Sequence, residues 1–254
     1  MPKPTGSEMI KKLLVASMAI AGFSACNTQN AITEHTAQAA ANTDKPALSL
    51  QDIIPAQQAT TPEEKQKQQE FVTRHLDRFK SRRMAGAFYV AEAQRTFNEG
   101  KTDSTDILLN RAWLMDSTNH DIFWVYGLTY GQQKEYDKAI YALYYALEFD
   151  KENPRLLTDI ATSYLGRFYE ESNLDDLHQS RKLLEEAARL DKDNPSIFYK
   201  LAVNSYYLKE YSKAWEYLHQ SIKQDKKQED KTFISALLEK QQDPEGIYSR
   251  QNVQ

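Results

Sequence analysis

Apolar spacing changes character along the chain. Leu13 to Phe23 is a short apolar stretch that follows Lys11 and Lys12. Asn27 to about Pro62 is rich in Gln, Ala and Thr, with little apolar periodicity. Beyond it the apolar residues fall at helical spacing. Phe71, Val72, Leu76 and Phe79 line one side of a helix predicted between Glu63 and Met84. At the far end Phe233, Ile234, Leu237 and Leu238 suit a last solvating helix, and Gln241 to Gln254 reads as a polar, frayed tail.

Between these ends the pattern repeats. Leu109 to Asp116 aligns with Leu143 to Asp150 at an offset of 34 residues, and Leu184 to Asp191 and Leu218 to Asp225 continue the series. In this register the repeats begin at Gly86, His120, Pro154 and Pro195, spaced by 34, 34 and 41 residues. The eighth position holds Ala93, Gly127, Ala161 and Ala202; the twentieth holds Thr105, Ala139, Ser180 and Ala214; the twenty-seventh holds Ala112, Ala146, Ala187 and Ser221. All are small, as two closely packed antiparallel helices require. A large knob recurs at the twenty-fourth position as Leu109, Leu143, Leu184 and Leu218. Asp116, Asp150, Asp191 and Asp225 stand where a helix ends. The macrodipole disfavours an acid there, so these aspartates are expected to serve the following turn. Asn153-Pro154 and Asn194-Pro195 then restart the chain, with proline in the first helical turn.

This pattern resembles the tetratricopeptide (TPR) repeat, a 34-residue helix-turn-helix with small residues at the eighth, twentieth and twenty-seventh positions. Gly127, Tyr130, Tyr136, Ala139 and Ala146 match its signature in the second repeat, as do Leu201, Tyr211 and Ala214 in the fourth. The first repeat is degenerate, with Glu92 at an ordinarily apolar place, and the third carries seven extra residues somewhere within Leu165 to Asp176. The alternative is an unrelated helical bundle with accidental self-similarity. The resemblance implies an all-α fold, a right-handed superhelix of antiparallel helix pairs over residues 85–240. A capping helix at 63–84 precedes it, another cap closes it and a polar tail occupies 241–254. It also implies a concave groove lined by Trp124, Leu128, Arg155, Thr158, Thr162, Tyr199, Val203, Tyr206 and Tyr207. Such a groove suits an extended peptide or a helix of a protein partner, although these rings also suit packing against the next repeat. The lysine and asparagine clamp that some members use for a terminal carboxylate is not reproduced.

The N-terminal stretch reads as an address. A basic region, an apolar core of roughly a dozen residues and small residues at its end make a secretory signal, too short to span a bilayer. A start at Met9 would give a cleaner basic region than Met1. Phe23-Ser24-Ala25-Cys26 resembles the bacterial lipobox, departing from it at Phe23, where an aliphatic residue is usual. The resemblance implies removal of residues 1–25, covalent lipid on Cys26 as the membrane anchor, and, from Asn27, sorting to the outer membrane facing the periplasm. Ordinary signal cleavage would instead leave Cys26 as a free thiol. Residues 26–62 then form a disordered tether.

Composition narrows the function. Eight glycines and eight prolines in 254 residues suit long helices with short connections. A formal charge of −4 supplies no basic field for nucleic acid. One cysteine excludes an internal disulfide and a cysteine-ligated zinc site. The five histidines lie far apart, and no H-E-x-x-H, phosphate-cradling glycine loop or G-x-S-x-G elbow occurs. Glu170-Glu171 and Asp175-Asp176 cluster at the third-repeat insertion, a grouping that also suits a solvated loop. The chain therefore reads as a binding module without a catalytic site, metal, cofactor or small-molecule substrate. Its leading role is an envelope or secretion adaptor. An immunity protein neutralising a periplasmic toxin is the alternative, and a hydrolase using the acidic insertion comes third.

Overall fold

A computed structural model describes residues 48–249; the signal stretch, Cys26 and the first part of the expected tether lie outside the described residues. The described residues form helices and turns without strands, and they divide into two compact units between Lys151 and Glu152.

The first unit opens with α1 (Leu50–Ile53), a 3-10 turn (Pro55–Gln58) and α2 (Pro62–Leu76). Two antiparallel pairs follow. They are α3 (Arg82–Asn98) with α4 (Thr102–Met115), and α5 (Asp121–Gln132) with α6 (Tyr136–Leu147). A capping box starts α2: Thr61 Oγ1 accepts from the Glu64 N–H at 3.2 Å, and Glu64 Oε2 accepts from the Thr61 N–H at 3.0 Å.

Two sequence expectations are corrected here. The tether does not run to residue 62, because Ile53 and Ile54 are fully buried and the Ile53 carbonyl accepts a 2.7 Å hydrogen bond from the Tyr130 hydroxyl. Two adjacent large aliphatics offset the ordering cost of this short segment once α5 offers them a surface. The capping helix also ends at Leu76 rather than Met84. Ser81 interrupts it and caps α3, accepting from the Met84 N–H at 3.2 Å.

The second unit contains α7 (Pro154–Glu171), α8 (Leu174–Leu190), α9 (Pro195–Tyr207), α10 (Tyr211–Gln224), a 3-10 turn (Lys226–Gln228) and α11 (Lys231–Lys240). Asparagine before proline acts as read from the sequence. Asn153 Oδ1 accepts from the Arg155 and Leu156 N–H groups, and Asn194 Oδ1 from that of Ser196. The repeat aspartates serve turns: Asp116 accepts from Thr118, Asp191 from the Asn194 amide and Asp225 from the Lys227 N–H. All residues of the small columns and the leucine column are buried. These positions hold the two members of each pair together.

Helices α3, α5 and α9 end alike. Gly100, Lys134 and Lys209, each the fifteenth residue of its repeat, have φ of 72°, 65° and 62°. The next N–H in each case reaches back to the carbonyl of Thr96, Tyr130 or Ser205 at 2.9 Å. The third repeat differs. Its seven extra residues do not make a loop: α7 runs for 18 residues and α8 for 17, against 13 and 14 in α9 and α10. Within this extension Arg167 grips Asp176 with two hydrogen bonds, at 3.0 and 2.6 Å, and the Asp176 side chain is 2% exposed. One of the four residues of the expected solvated acidic cluster, Asp176, is therefore part of an internal clasp, while Glu170, Glu171 and Asp175 are exposed.

The core of the second unit gathers Leu165, Leu177, Val203, Trp215, Leu218, Phe233 and Leu237. Gln241 to Ser249 is not frayed. Its Gln241 carbonyl accepts from Trp215 Nε1 at 3.3 Å, the Tyr248 ring stacks near that indole at 6.2 Å, and His219 Nδ1 lies 3.0 Å from Glu245. Among the described residues no helix is long and apolar enough to cross a membrane.

Candidate functional site: an aromatic face on the C-terminal unit

Helix α9 carries Tyr199, Val203 and Tyr206 at i, i+4 and i+7, so one stripe of the helix presents all three. Their surroundings differ. Val203 is fully enclosed in the core, which removes it from the expected groove lining. Tyr199 is half-buried, its ring meets Phe233 edge-on at 5.8 Å, and its hydroxyl donates to Asp230 Oδ2 at 2.7 Å. Burial, with the Asp230 carboxylate beside it, holds the Tyr199 phenol protonated far above the ordinary tyrosine range. Asp230 in turn caps α11 by accepting from the Thr232 and Phe233 N–H groups. Tyr199 thus fixes the cap of α11 as well as the surface.

Tyr206 is half-buried and meets Tyr207, Tyr211 and Phe233 at 5.4, 5.8 and 5.7 Å, in edge-on or nearly edge-on arrangements. Tyr207 turns toward the long hairpin, where Tyr169 and Phe168 stand 5.0 and 5.5 Å away. The result is a continuous aromatic cluster in which Phe168, Tyr169, Tyr199, Tyr206, Tyr207 and Tyr211 are all partly exposed. Edge-to-face contacts of this kind hold rings rigid, and the Tyr169 and Tyr207 hydroxyl oxygens are turned in from solvent. Phe168, Tyr169 and Tyr211 were not anticipated as lining residues. The first two lie in the extension, where the 34-residue register no longer assigns a column.

On α7 the expected groove residues are Arg155, Thr158 and Thr162. Arg155 is exposed in the first helical turn. The threonines are nearly buried and spend their hydroxyls on their own helix, Thr158 donating to the Pro154 carbonyl and Thr162 to that of Thr158, each at 2.7 Å. They offer methyl groups more than hydrogen bonds. Trp124 and Leu128 lie on α5 in the other unit, with 9% and 8% of their surface exposed.

Lys200, unremarked in the sequence, is 4% exposed at the sixth place of its repeat. Burial pushes its ammonium pKa down, and Asp159, at the same place of the preceding repeat, opposes that shift. Among the described residues no three His, Cys, Asp or Glu side chains gather as a metal site would require.

Antiparallel helix pairs, small residues where they touch and left-handed stops at a fixed place define an all-α, TPR-like fold. Solved structures agree. The chain is similar to TTC0263, a thermophilic TPR protein of Thermus thermophilus, with a TM-score of 0.53 and 15% identity over 61% of this chain and 81% of that one. It is also similar to Pseudomonas aeruginosa pilF, with a TM-score of 0.52 and 21% identity over 63% of this chain and 70% of that one. No protein-family model matches the sequence, and no curated protein does. At these identities the likeness carries the fold alone.

Proposed function

We propose that the chain is a lipid-anchored protein of the bacterial envelope whose TPR-like repeats hold a protein partner, acting as an adaptor for an envelope or secretion assembly. The observation that carries this reading is the rigid aromatic cluster on the C-terminal unit. Six partly exposed rings, five of them tyrosines, lie side by side there. Aromatic side chains bury large area at low entropic cost, and binding energy concentrates on them. An extended peptide or a partner helix fits such a surface. The anchor rests on the lipobox-like segment ending at Cys26. It raises the effective concentration of the cluster beside the membrane, so moderate affinity suffices.

In intact cells, a photoreactive residue at position 206 is expected to crosslink to a defined protein. Tyr207→Ala should cut that yield about tenfold, the loss of one hot-spot ring, with the thermal midpoint as a folding control. An unchanged yield in a folded variant would remove the cluster as the binding surface. Incorporation of a fatty-acid analogue into the wild type, with none in Cys26→Ala, tests the anchor separately.

A further inference from the structure

In the second and fourth repeats the third residue sits on the helix face that meets the preceding hairpin of the same unit. These are Ile122 and Ile197, which are 0% and 1% exposed. Within each unit the covering neighbour is a helix, α4 lying against α5 and α8 against α9. In the first repeat the same position is Phe88, and it is 48% exposed. The tenth position repeats the contrast: Thr129, Ser163 and Asn204 are buried, whereas Arg95 is exposed. Met84, one turn before Phe88, is 51% exposed, and Ala91, one turn after it, is exposed too.

The chain's own cap leaves this face open. Phe71 of α2 packs near Tyr89 at 6.1 Å, and the Arg111 guanidinium of α4 lies over the Phe71 ring at 5.6 Å, which holds α2 against α4. Phe79, in the link after α2, leans on Phe88 at 5.3 Å and still leaves half of it in water. That link is basic. Residues 74 to 83 include five Arg or Lys side chains and one acid, in a chain whose net charge is −4. Arg78, Lys80 and Arg83 are exposed and adjoin Phe79 and Met84 in sequence.

We propose that the Met84–Phe88–Ala91 face of α3, rimmed by Arg78, Lys80 and Arg83, docks an acidic amphipathic helix of a partner protein. The shape argument is the repeat itself, since the equivalent positions of α5 and α9 pack against a helix. Apolar residues at i, i+4 and i+7 match the anchor spacing of a helix laid along them. The charge argument selects the occupant. An acidic helix complements the rim, whereas a second copy related by a two-fold axis would set the basic rim against itself. This surface is separate from the aromatic cluster and does not depend on it.

The probe is a fluorescent peptide of roughly 18 residues, about five helical turns, with leucines at i, i+3, i+4 and i+7 spacing and glutamates flanking them. Titrated with the full chain, it is expected to give saturable anisotropy that weakens with added salt. Met84→Ser with Phe88→Ser should weaken binding about tenfold or more. Arg78→Glu with Arg83→Glu should also weaken it, with circular dichroism as a folding control for both. The lysine-flanked version of the peptide should not bind, and Tyr206→Ala should leave the affinity unchanged. Failure of the acidic peptide to bind, equal binding of the lysine version, or indifference to Met84→Ser with Phe88→Ser would overturn the proposal. So would a dimer in sedimentation velocity, or binding to phosphatidylglycerol vesicles, that this double variant abolishes while the peptide stays unbound. Those results would assign the face to a second copy or to lipid.

Discussion

Replacing Gly127 by alanine sets two effects of opposite sign against each other. In an ordinary helix interior the change is favourable by about 1 kcal/mol, because glycine loses more backbone freedom on folding. Here the new methyl would stand 2.4 Å from Leu143 Cγ, 2.7 Å from Leu143 Cδ2 and 3.3 Å from the Ala139 carbonyl oxygen. Carbon atoms in contact prefer about 3.5–4.0 Å, so α5 and α6 must separate or Leu143 must leave its rotamer. Leu143 is fully buried, so it cannot swing out into solvent. Overpacking of this kind costs about 1–3 kcal/mol. A clash of more than about 1 Å with a branched carbon belongs at the upper end of that range, so the net expectation is a loss of about 1–2 kcal/mol. Urea unfolding of the full chain followed by circular dichroism measures it. The decisive comparison uses a Leu143→Ala background, where the added methyl enters vacated space. There Gly127→Ala should stabilise by up to about 1 kcal/mol, a reversal of sign that only direct contact produces. A gain of stability in the wild-type background, or the same sign in both, would refute the close approach of α5 and α6 at this point.

Two further perturbations test the C-terminal unit. Asp176→Ala takes away the buried carboxylate that Arg167 grips and should cost about 3 kcal/mol; adding Arg167→Met should recover part of that loss in the same urea titration, and a loss below about 1 kcal/mol would show the clasp to be dispensable. Glu210 is held by Arg181, whose Nη1 and Nη2 donate to it at 2.9 and 2.5 Å, with Lys213 nearby, and its carboxyl is lowered from 4.5 to about 2. A carboxyl lowered on folding stabilises above its unfolded pKa and loses that contribution as pH falls through the folded one. The gap between wild type and Glu210→Gln, about 1 kcal/mol for a pair open to solvent, should therefore hold at pH 7 and shrink as pH falls from about 5 to 2. A gap that does not change over this range would separate Glu210 from the pair.

The repeat register was legible because each column answers one local packing need. A small residue permits contact, a leucine fills the gap and an asparagine starts the next helix. Val203 shows where that reading stops. It shares a stripe with Tyr199 and Tyr206, and only the docking of α11 beside α9 decides that it is covered while the rings keep an exposed edge. Ile53 and Ile54 escaped for the same reason, since two apolar residues among polar ones acquire meaning only when a distant surface receives them. The seven extra residues of the third repeat could be counted but not shaped. Helix extension and loop insertion differ by a pairing, Arg167 with Asp176, that spacing alone does not reveal. Met84 stood at the end of the expected capping helix and Phe88 at the start of the first repeat, so nothing in the spacing joined them into one face. With the cap ending at Leu76 and Ser81 starting α3, Met84 joins Phe88 on the outer face of the first repeat.

The long α7–α8 hairpin bears on how such a chain finds its own order. Near-identical modules invite mispairing, in which a helix folds against the partner of a neighbouring module, or the same module of another molecule, with little loss of contact. A helix of 18 residues set against one of 17 leaves about a turn overhanging if either pairs with a module of ordinary length. The paired hydrogen bonds between Arg167 and Asp176 would then be lost, because Asp176 sits on the displaced partner. The odd hairpin thus works as an indexing key, making one alignment of otherwise interchangeable parts distinctly more favourable than the rest.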